Sequence, residues 1–118
     1  MKKESVDEEI LNYENLEKQL EVILIQKHQL QLQLNEIKHA QDELKRAKGE
    51  VYRAVGSIML LSTKDEAEKE LKDRQELVEV KVGALGKQEE KLRESVTFAQ
   101  KVLQERMKEY AAKPPEGQ

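Results

Sequence analysis

The chain has no cysteine and no tryptophan, and its 118 residues include a single phenylalanine, two prolines and five glycines. Without cysteine there is no disulfide framework and no thiolate chemistry. Both prolines, Pro114 and Pro115, lie near the C-terminal end, so none interrupts the chain before them. Aromatic residues make up 3% against 38% charged, which leaves little material for a globular core and allows one domain at most. No apolar run approaches the roughly 20 residues that cross a bilayer. The opening M-K-K-E-S-V-D-E-E is too polar for the apolar segment of a signal peptide. These absences predict an elongated cytoplasmic protein with no membrane partner.

Charge is plentiful but balanced. Lys and Arg number 21 and Asp and Glu 24, a net charge of -3 with both signs interspersed, so no broad basic face exists for a nucleic acid. The bias toward Lys, Glu, Gln and Leu is that of long helices and coiled coils rather than of disorder. A heptad register begins at Tyr13: Tyr13, Leu20, Lys27, Leu34 and Gln41 fall at position a, and Leu16, Ile23, Leu30, Ile37 and Leu44 at position d. Residues 1–7 read as a frayed start and 8–48 as helix one, about 60 Å long at 1.5 Å per residue.

Gly49 stops that helix, and G-E-V-Y-R-A-V-G-S-I-M-L-L-S-T reads as a β-hairpin over 50–62, with Gly56-Ser57 as its tight turn. A lone two-stranded hairpin is marginal in water. Ile58 to Leu61 is a continuous apolar run, which suggests a strand covered on both faces. Val51, Val55, Ile58, Met59, Leu60 and Leu61 are therefore the candidate oligomerisation residues, buried against other copies or other subunits.

Thr63-Lys64-Asp65-Glu66 has the spacing of a capping box and opens helix two over 64–111. Its seam places Leu71, Val78, Leu85, Leu92 and Ala99 at d and Val82, Val96, Leu103 and Tyr110 at a, with Gln75 and Glu89 interrupting. Two narrow seams joined by a hairpin pair antiparallel. A reversal centred on Gly56 brings Leu20 level with Leu92, Leu30 level with Val82, and Lys27 toward Glu89. That polar pair either fixes the register or snorkels to solvent. Gly83 and Gly86 are a tolerated weakening or a flexible point. Residues 112–118 read as a disordered tail.

Catalytic and metal-ligating groups are not found. His28 and His39 sit at outward heptad positions with no Cys or His companion. The carboxylates alternate with Lys and Arg at helical spacing, as on solvated faces. Ser62 and Thr63 suit capping better than nucleophilic chemistry, and no phosphate-cradling glycine motif points to ATP or another cofactor. The chain does not read as an enzyme.

Apolar residues exceed what the seam requires at one place. Ile10, Leu11, Val22, Leu24 and Ile25 on helix one, and Phe98, Val102 and Met107 on helix two, lie off the seam, and antiparallel pairing collects them at one tip. They either pack on a neighbouring subunit or grip partner proteins; a client-binding set is the sharper reading.

The strings Q-K-H-Q-L-Q-L-Q-L-N-E (26–36), V-Y-R-A-V-G-S-I-M-L-L (51–61), T-K-D-E-A-E-K-E-L (63–71) and L-G-K-Q-E-E-K-L (85–92), in this layout, resemble the β class of the prefoldin family over residues 10 to 108. The resemblance implies a mostly α fold: a long antiparallel two-helix coiled coil joined by one β-hairpin, the hairpins building an inter-subunit β-barrel body. It implies partners: prefoldin α subunits in an α2β4 hexamer, other copies of this chain, unfolded client proteins and a group II chaperonin. It implies a chaperone that holds clients without ATP, and an archaeal source suits it better than a eukaryotic one. The rival reading is a structural coiled-coil spacer with no client.

Overall fold

The computed structural model describes residues 3–112, with side chains from Val6 onward. The elements are helix α1 (Lys3–Arg46), strand β1 (Val51–Val55), strand β2 (Ile58–Ser62) and helix α2 (Lys64–Ala112). This is a mostly α fold, two long helices joined by one antiparallel hairpin. The chain divides into two compact units, one comprising Lys27–Ala84 and the other the chain up to Gln26 together with that from Leu85 onward. Each helix contributes to both.

The heptad pattern is what builds the core. All ten a and d residues of α1 from Tyr13 to Leu44 are buried or half-buried, as are those of α2 from Leu71 to Tyr110. In the hairpin-bearing unit the core is Leu34, Leu44 and Val78; in the other it is Val6 and Ala99, the latter 2% exposed. Helix α1 starts earlier than the sequence suggested. Residues 3–7 are helical rather than frayed, because Val6 continues the a position one heptad before Tyr13 and is buried. The helix ends at Arg46, two residues before the expected limit, and Ala47 N–H closes its last turn onto the Leu44 carbonyl at 3.2 Å.

The hairpin pairs Val51 with Ser62 and Val55 with Ile58 at its two ends. Gly56 has φ 61°, the only positive φ among the described residues. A left-handed first turn residue followed by an ordinary second one is the II′ arrangement, which matches the right-handed strand twist and favours glycine at that first position. Thr63 then caps α2: its Oγ1 accepts from Glu66 N–H at 3.1 Å. The Glu66 carboxylate takes the Ser62 hydroxyl at 3.2 Å, so the box closes through a side chain. Lys64 Nζ donates to the Lys45 carbonyl at 3.2 Å, placing a cation on the C-terminal end of α1.

Within this unit the two helix segments run in opposite directions, with Gln41 donating to Gln75 at 2.9 Å. The strand pairs that reverse the chain are centred on the Gly56–Ser57 turn, with Val55 opposite Ile58. The expected tail from residue 113 on lies outside the described residues; Ala112 itself is helical.

Candidate functional site

The hairpin presents apolar side chains on both faces. Alternation puts Arg53, Val55, Ile58 and Leu60 on one face and Tyr52, Ala54, Met59 and Leu61 on the other. Of the six oligomerisation candidates only Val51 is half-buried; Val55, Ile58, Met59, Leu60 and Leu61 are exposed, Leu61 by 66%. Five large apolar residues with this exposure form a surface suited to cover by another chain. The strand is tied to its own helix through Glu70, whose carboxylate lies 3.6 Å from Arg53 Nη1 and 3.3 Å from Arg74 Nη2. Exposed pairs of this kind contribute at most about 1 kcal/mol each, so they orient the hairpin more than they stabilise it. Tyr52 donates its hydroxyl to Glu50 at 2.5 Å, and that bond, with some burial, raises its pKa.

All eight candidate client-binding residues fall in the unit formed by the two ends of the chain. Leu11, Val22, Leu24, Ile25, Phe98 and Met107 are exposed, Phe98 by 69%, whereas Ile10 and Val102 are half-buried. Heptad geometry accounts for part of the difference. Ile10 and Val102 occupy e and g positions, which flank the seam and cover it; Leu11, Val22, Ile25 and Phe98 occupy c or f and point away from it. Leu24 and Met107 share position e with Ile10 and yet are exposed by 37% and 52%. Tyr13, at the a position of the same unit, has its pKa raised by burial and by its bond to Glu17.

Among the described residues, the large aliphatic side chains of Leu32, Leu77 and Val80 are also exposed and were not singled out by the sequence, Val80 being 69% exposed. Leu77 and Val80 are three apart at outward c and f positions, the spacing that would have found them. Both histidines are exposed. Among the described residues no group of three or more His, Cys, Asp or Glu side chains could hold a metal ion, and no helix is long and apolar enough to cross a membrane.

Such a chain, with a hairpin between two coiled-coil helices and large apolar surfaces open for other chains, is of the subunit class that works in an assembly. The family model described as prefoldin subunit matches residues 7–110, and the chain belongs to the prefoldin family. Prefoldin subunit beta of Pyrococcus abyssi is 36% identical over 85 residues, 70% of this chain and 73% of that protein. The corresponding protein of Thermococcus kodakarensis is also 36% identical over 85 residues, with the same coverage of both chains. The crystal structure of the prefoldin beta subunit from Thermococcus strain KS-1 matches with a TM-score of 0.81 at 34% identity, covering 94% of this chain and 95% of that one. The beta2 subunit from the same strain matches with a TM-score of 0.70 at 22% identity, over 75% of this chain and 97% of that one, a likeness of fold. The resemblance read from the hairpin and flanking strings is thus to the right family and class. Prefoldin subunits are chaperone components that assemble with one another.

Proposed function

We propose that this chain is an ATP-independent holdase subunit of the cytoplasm. Its hairpin joins a β-barrel body in an α2β4 hexamer with prefoldin α subunits and further copies of itself. The exposed apolar side chains of its end unit capture unfolded proteins, which pass to a group II chaperonin. The observation that carries this reading is the set of six exposed residues from Leu11 to Met107, gathered in one unit although they come from opposite ends of the chain. Unfolded chains expose apolar segments of no fixed sequence, so a receptor for them needs several adaptable patches rather than one shaped pocket. Repetition around an assembly adds avidity, because later contacts form at high effective concentration. No nucleotide, cofactor or metal enters the cycle.

The test is suppression of aggregation of a chemically denatured protein by the assembled complex, without ATP. Suppression that falls when Leu24, Ile25 and Phe98 are changed to Ser supports the reading. An assembled parent that leaves aggregation unchanged is a coiled-coil spacer.

A further inference from the structure

Gly83 and Gly86 stand three residues apart inside α2, a 49-residue helix otherwise built without a break. Glycine is required in a helix when a Cβ would clash or when φ is positive, and neither applies. A Cβ built at either position meets nothing within 4 Å, and only Gly56 among the described residues has a positive φ. Alanine fits both sites, so what glycine alone supplies there is backbone freedom. One further feature coincides with the pair. Polar residues replace aliphatic ones at a positions on both helices: Glu89 is the next a residue of α2 after Val82, and Lys27 stands at a in α1. A polar a residue weakens a seam locally.

We infer that Gly83–Gly86 is a flexure built into α2, at which the helix bends while the hairpin-bearing unit stays folded. Its effect on capture rests on the holdase reading: bending lets the exposed residues of the end unit meet clients of different size. The flexure itself does not depend on that reading and is measured separately.

Because the chain has no cysteine, spin labels attach only where one is introduced. Glu76→Cys with Glu90→Cys brackets the glycines, and Glu94→Cys with Lys108→Cys is a control pair on the same helix; both pairs are 14 residues apart and all four sites are exposed. In the full-length chain the bracketing pair is expected to give the broader distance distribution, and Gly83→Ala with Gly86→Ala to narrow it to the control's width. The same double variant should slow amide exchange over residues 83–90 by about fivefold or more, as each glycine weakens local helix by about that factor. Equal widths for the two pairs in the parent, or a double variant as broad as the parent, overturns the flexure. If the distribution narrows but clients of all sizes are held as before, the flexure stands and its role in capture falls.

Discussion

The Gln41 carboxamide donates to that of Gln75 at 2.9 Å, joining the two helices of the hairpin-bearing unit at the one level where each places a glutamine in its seam. Gln75 in turn donates to Glu79 at 2.7 Å, so the contact is one link of a short polar chain. A polar pair at a positions fixes alignment at some loss of stability. Changing Gln41 to Leu alone strands the Gln75 oxygen and is expected to destabilise by about 1 kcal/mol, whereas Leu at both sites replaces the pair with apolar contact and recovers that loss or more. A double-mutant cycle on thermal unfolding reads the coupling directly. Strictly additive effects would mean that the bond contributes nothing.

Ile58 is 61% exposed in the single chain. Ile58→Asp therefore adds a solvated carboxylate to the lone subunit, at little expense to its helices. In an assembly that buries the strand the same carboxylate would cost several kcal/mol. The expected outcome is unchanged helical circular dichroism with loss of the large species in sedimentation. A variant that still sediments as the full oligomer excludes this hairpin face from the interface.

Much of this fold was legible because mostly aliphatic residues recur at a and d over nearly six heptads of each helix, with single polar interruptions such as Lys27 and Glu89, and the hairpin separates the two runs. The start of α1 was not, since Lys2, Lys3 and Glu4 look like a solvated end and Glu9 interrupts the d positions; Val6 alone gave the signal. In the end unit, treating every off-seam apolar residue alike merged two groups. Ile10 and Val102 close over the seam, while the c and f residues stand in solvent. Leu77 and Val80 escaped notice because two residues among charges read as ordinary surface.

Tyr52 offers a pH readout. Its bond to Glu50 favours the neutral phenol and raises its pKa above the ordinary 10.0. The stabilisation is fully present below the unfolded phenol's pKa and is lost as pH rises through the higher folded value. In a Tyr13→Phe, Tyr110→Phe background, phenolate absorbance should therefore rise later than in the unfolded chain, and Glu50→Gln should move it back toward 10.0. An unmoved titration in the Gln variant would remove Glu50 as the cause.

The division of the apolar end residues leads to the sharpest prediction about capture. Leu24, Ile25 and Phe98 are exposed, so Ser at all three removes apolar surface that the folded chain leaves in water. The unfolding midpoint should shift little, because surface substitutions of this kind usually stay within about 0.5 kcal/mol each. Aggregation suppression by the assembled protein should fall sharply. Ile10 and Val102 are half-buried beside the seam, and Ser at both should do the reverse. Each loses up to about 1 to 2 kcal/mol of partial burial, so the end unit melts earlier, while suppression measured well below that midpoint changes less. The two variants separate a binding surface from a packing surface by opposite signatures in the same pair of measurements. If the exposed triple lowers the midpoint as much as the flanking double and suppresses aggregation as well as the parent, these side chains are part of the packing and the capture surface lies elsewhere, with Leu77 and Val80 the next to change.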